Sequence, residues 1–96
     1  MSSVTISMTL KEIGVGAVAL FLKEPPGGFE TIMPALRESR MRGGGDVTLA
    51  RERVPAFISS LERARDYTAA NKHRPDDVGA YDALAKRLRA AMEIVE

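Results

Sequence analysis

The chain has no cysteine, one histidine and no apolar run longer than ten residues. Without cysteine there is no disulfide framework, thiolate metal site or cysteine nucleophile, a usage that suits a reducing cytoplasm. The longest apolar stretch, "IGVGAVALFL" from Ile13 to Leu22, is half of the roughly 20 residues that a helix needs to cross a bilayer. It is expected to be a buried helix, with no membrane contact. The opening residues "MSSVTISMTLKE" show no basic cluster ahead of an apolar run and no small-residue cleavage site. No secretory signal is expected, and the reading is cytoplasmic.

Charge of one sign is scarce too. The net charge is +1, distributed as −1 over residues 1–36, +2 over 37–53, +2 over 54–74 and −2 over 75–96. That mild basic middle falls well short of the dense basic stripe that binding to a phosphate backbone usually requires.

What is present is an ordinary folding composition. A hydrophobic fraction of 45% with 28% charged residues argues against disorder and against a fibrous chain. Ninety-six residues suffice for one modest core, which a partner chain would help to complete.

The chain also matches itself. Setting "MTLKEIGVGAVALFLKE" (8–24) over "VTLARERVPAFISSLER" (47–63) gives five identities in seventeen pairs, with Gly16 over Pro55. A second match sets "GFETIMPALRES" (28–39) over "AYDALAKRLRAA" (80–91), pairing Phe29 with Tyr81, Leu36 with Leu88 and Arg37 with Arg89. Self-similarity of this kind is the mark of a duplicated supersecondary unit. The halves are expected at 4–42 and 46–96 within a single domain covering 1–96.

Periodicity supplies the elements. Val4, Ile6 and Met8 alternate with Thr5 and Ser7, the period of a half-buried strand. "DVTLA" (46–50) is its shorter counterpart, and the two are expected to pair as a ribbon. Residues 49–53 read as helix, loose turn or strand. Thr9 and Glu12 have the spacing of a capping box, opening a helix that runs to about Lys23 and stops at "EPPGG". A second helix carries Phe29, Ile32, Met33 and Leu36 on one face. Pro34 implies that this helix starts near Thr31, where a missing amide costs no hydrogen bond.

A third helix begins near Val54 and lines up Phe57, Ile58, Leu61 and Ala64, a stripe that fades at Thr68. The fourth follows "NKHRPDD" (71–77), with Asp76 or Asp77 as its cap, and carries Tyr81, Leu84, Leu88, Met92 and Val95 inward. On its outer face Asp82 with Lys86, and Arg89 with Glu93, stand four residues apart and are expected to pair. The fold expected is mainly helical: four helices in two tandem helical hairpins, with a short two-stranded β ribbon.

Chemistry is harder to find. "RGGGD" (42–46) invites comparison with a phosphate-binding loop, but that pattern needs spaced glycines followed by lysine and serine or threonine. Here Asp46 follows and would repel an anion, so a hinge is expected. Arg37, Arg40, Arg42, Arg51 and Arg53 gather around this joint. Glu38, Asp46 and Glu52 dilute them, and mixed charge usually faces water; the alternative is a patch for nucleic acid. His73, beside Lys72 and Arg74, makes a poor metal site even with Asp76 and Asp77. With no serine motif for that histidine to serve, no catalytic residue and no cofactor is expected.

The most informative segment is the apolar helix. Ile13, Val15, Val18, Leu20, Phe21 and Leu22 cannot share one side at about 100° per residue, and the first five are the candidate interface residues. A helix apolar all round is central in its own domain or covered by another chain. Gly14, Gly16 and Ala19 would let a neighbour come close, and a two-fold contact is the commonest way for a small chain to finish its burial. The sequence therefore points to a small non-enzymatic protein–protein interaction module. It would be a cytoplasmic regulator or adaptor acting as a homodimer and binding another protein, with a nucleic-acid-binding regulator as the alternative.

Overall fold

A computed structural model describes residues 3–22, 29–71 and 75–93. The elements run β1 (Ser3–Met8), α1 (Leu10–Leu22), α2 (Phe29–Met41), β2 (Gly45–Ala50), a 3₁₀ turn (Arg51–Arg53), α3 (Val54–Ala70) and α4 (Pro75–Met92). The fold is mainly helical, with one two-stranded antiparallel sheet. The "EPPGG" connection, Lys23, His73 and Val95 lie outside the described residues, as do the side chains of Phe29, Asp76 and Asp77.

In β1 the alternation works as expected. Val4, Ile6 and Met8 are buried while Ser3, Thr5 and Ser7 face out. β2 pairs with it antiparallel, setting Val4 against Leu49 and Ile6 against Val47. A slip of one residue would turn this inner row to solvent, so the apolar pattern fixes the register. On the outer face Thr5 and Thr48 lie opposite each other, their Oγ1 atoms 2.9 Å apart.

The capping box at α1 closes in both directions. The Thr9 amide donates to Glu12 Oε1 at 3.0 Å, and the Glu12 amide donates to Thr9 Oγ1 at 3.1 Å. Two of the free amides at the helix start are thereby satisfied. α1 then buries Ile13, Gly16, Ala19 and Leu20 and packs against α2, α3 and α4. It is the central helix of the chain along that face.

Three expectations are corrected. α2 begins at Phe29, not near Thr31, so Pro34 sits inside the helix and the carbonyl of Glu30 loses the amide that would have bonded it. Pro34 is exposed, and its helix is held by the burial of Ile32, Met33 and Leu36 on the other side. α4 starts at Pro75, a position where proline's lack of an amide is harmless, which places Asp76 and Asp77 inside its first turn and not ahead of it. The α3 stripe does not fade at Thr68, which is buried with Val54, Phe57, Ile58, Leu61 and Ala64.

The ambiguous residues 49–53 divide between strand and turn: Leu49 and Ala50 complete β2, and Arg51–Arg53 form the 3₁₀ turn that leads into α3. One core cluster draws on both strands and all four helices, from Val4 and Val47 to Leu36, Phe57 and Leu88. No buried side-chain nitrogen or oxygen among the described residues lacks a hydrogen-bond partner.

Candidate functional site

The glycine joint is settled by its own hydrogen bonds. The Gly44 amide donates to the Ser39 carbonyl at 2.9 Å and the Gly43 amide to the Arg40 carbonyl at 3.0 Å. This is the paired closure that ends helices on a left-handed residue. Gly43 supplies that residue, with φ of 86°. Gly44 lies so close to β1 that an added Cβ would stand 3.2 Å from the Met8 carbonyl oxygen. Both amides are thus committed to the chain, and the segment works as a joint between α2 and β2. Buried Ser39 braces it from beneath, donating from Oγ to the Gly45 carbonyl at 3.3 Å.

The five arginines expected around this joint take different posts. Arg42 folds over it, donating to Glu38 Oε1 at 2.9 Å and to the Asp46 carbonyl at 2.7 Å. Arg51 reaches the far end of α4 and donates to the Met92 carbonyl at 2.9 Å, where a cation suits the negative end of the helix. Arg53 is half-buried in the 3₁₀ turn. Only Arg37 and Arg40, among these five, come together with apolar residues of α1.

Those two line a groove of about 190 Å³ between α1 and α2. α1 contributes Ile13, Ala17 and Phe21, and α2 contributes Met33 and Leu36 with Arg37 and Arg40 beside them. Ile13 and Leu36 are buried and form the floor, while both arginines are exposed. The sequence treats the apolar helix and the arginines as separate candidates. The packing of α1 on α2 makes them two sides of one surface.

Comparison with protein-family models, with curated proteins and with solved structures finds no match to this chain. The surface has to be read from its own chemistry.

The residues of the apolar helix divide sharply. Ile13 and Leu20 are buried in the core and Val15 is half-buried, whereas Val18 is 41% and Phe21 71% exposed. Leu22 at 42% and Leu10 at 54% join the exposed set; Leu10 was not singled out by sequence reading, which had no way to tell which sector the core would take. Gly16 is used within the chain, its open side filled by the ring of Phe57. Gly14 is different, since an added Cβ there would meet nothing within 4 Å. Leu10, Gly14, Val18 and Phe21 follow the 4-4-3 spacing of a single helix stripe, and this stripe borders the groove at Phe21.

Ion pairs elsewhere tie elements together. Arg87 of α4 donates to Glu12 at the start of α1 and to the Ser7 carbonyl of β1. Burial pushes the Glu12 carboxyl up, but the Arg87 guanidinium and the hydrogen bonds with Thr9 outweigh it and hold the group below its ordinary value. Asp82 is likewise lowered, by Lys86 first and then by Arg65. The expected Asp82–Lys86 pair forms at 2.9 Å. Arg89, expected to pair with Glu93, instead reaches across to Glu62 of α3 at 2.6 Å. Among the described residues no three of His, Asp or Glu stand together as metal ligands, and no helix is long and apolar enough to cross a membrane.

Proposed function

We propose that this chain is a small non-enzymatic protein–protein interaction module, a regulator or adaptor that acts as a homodimer through the outward face of α1. The observation that carries the proposal is the exposure of Leu10, Val18, Phe21 and Leu22 on one helix whose other side packs into the core. Scattered apolar residues on a surface are ordinary, but a contiguous stripe marks a contact site.

The stripe is also self-complementary. In an antiparallel crossing about a two-fold axis between Gly14 and Val18, the open side of each glycine receives the valine of the other copy. Leu10 then meets Leu22. Such isologous contacts are the commonest solution for small chains. The tandem reading supports a module of this sort as well: β1–α1–α2 and β2–α3–α4 repeat one order of elements, as two copies of a helical hairpin would. A nucleic-acid-binding regulator has less support, because Arg42 and Arg51 are engaged within the chain.

Sedimentation equilibrium tests the dimer. The wild-type chain is expected at twice its 10.4 kDa mass, and Val18→Glu is expected at the single mass with its helical circular dichroism intact. A wild-type chain that stays monomeric at high micromolar concentration sinks the proposal.

A further inference from the structure

The groove between α1 and α2 has a charge pattern that narrows what it can hold. Its floor is apolar, and its polar groups are the side chains of Arg37 and Arg40, one helical turn apart on α2. Neither guanidinium makes an ion pair or hydrogen bond with the described residues, in contrast to Arg42, Arg65, Arg87 and Arg89, each of which meets a carboxylate. The self-match sharpens the contrast. The first match sets Lys23 over Glu62, and the second sets Arg37 over Arg89. In the second half Arg89 finds Glu62 on the neighbouring helix, whereas at the matching position the first half has a second cation. Among the described residues no carboxylate pairs with Arg37 as Glu62 pairs with Arg89.

From this we infer that the α1–α2 groove receives an acidic amphipathic helix of a partner protein. Its apolar side chains lie on Ile13, Ala17 and Met33, and its carboxylates pair with Arg37 and Arg40. The wall from Ile13 to Phe21 is roughly 12 Å long at the helical rise of about 1.5 Å per residue, or about two turns. That length accommodates apolar anchors at i, i+3 or i+4, and i+7, the usual spacing of a helix bound in a groove. A phosphate backbone would match the arginines but leave the apolar floor unused. The inference deepens the proposed interaction role and names the partner's chemistry, but it does not require the dimer.

The probe is a dye-labelled helical peptide of about 16 residues with leucines at the i, i+4, i+7 spacing and glutamates on both flanks. A second peptide has lysine at every glutamate. In fluorescence anisotropy the wild-type chain is expected to bind the acidic peptide about tenfold more tightly than the basic one, as two exposed ion pairs provide. Arg37→Glu with Arg40→Glu is expected to reverse that preference. Amide shifts in a ¹⁵N correlation spectrum are expected at Ile13, Ala17, Met33 and Leu36. Val18→Glu, which breaks the dimer but does not line the groove, is expected to bind the acidic peptide as wild type does. No binding, equal binding of the two peptides, an unreversed preference or shifts away from the groove each overturn the inference. So does displacement of the peptide by random-sequence duplex DNA, which would assign the arginines to nucleic acid.

Discussion

At Gly16 the core has no room for another atom on the α1 backbone: a Cβ would stand 2.9 Å from Cζ of Phe57, a fully buried ring, and 3.5 Å from Leu36 Cδ1. Gly16→Ala should therefore destabilise the chain by about 1–3 kcal/mol, the usual cost of overpacking, despite alanine's better helix propensity. Urea denaturation followed by circular dichroism measures this, and a neutral or stabilised variant would show that Phe57 has room to retreat. Gly14, two residues earlier, is the control: its side is open within the chain, so in the monomeric Val18→Glu background Gly14→Ala should stabilise by about 0.5–1 kcal/mol through propensity alone. The sequence shows two similar glycines in one helix. Their opposite roles depend on what α3 places against them, which no local pattern records.

α2 contains the clearest conflict between an element and its sequence. Pro34 stands inside it and faces out, so replacement by alanine restores one rung of hydrogen bonding and loses no core contact. Pro34→Ala is expected to raise stability by about 1–3 kcal/mol, with a matching rise in the denaturation midpoint. A fall would mean that the proline holds α2 at its angle to α1. This is also where sequence reading went astray. It moved the helix start to accommodate the proline, whereas the burial of Ile32, Met33 and Leu36 outweighs one missing bond. Elements whose signals are local were legible: the alternation of β1, the capping box of Thr9 and Glu12, the α3 stripe from Val54 to Ala64 and the α4 stripe from Tyr81 to Leu88 form as read. Helix ends that depend on tertiary packing, such as the start of α4 and the burial of Thr68, were not.

Across the whole molecule, the contact from Arg87 to Glu12 fastens the end of β1 and the start of α1 to α4. The folded chain holds the Glu12 carboxyl below its ordinary value of 4.5. Its contribution is therefore complete above the unfolded value and is lost as the pH falls through the folded one. Thermal midpoints measured from about pH 6 down to about pH 3 should fall less steeply for Glu12→Gln than for wild type. Parallel curves would show that this carboxylate does not link protonation to folding. The candidate surface, like this clasp, is a product of assembly. Phe21 and Arg37 were each visible as unusual residues, but only the packing of α1 on α2 sets them on one groove. The ribbon of β1 with β2 carries a further consequence. Ser3 pairs with Ala50, so during synthesis the first strand has no edge to join until β2 has left the ribosome. At about 5–20 residues per second that is a wait of several seconds. Throughout it Val4, Ile6 and Met8 lack the strand that sets their register, so the first half of the chain cannot complete its fold before the second half begins.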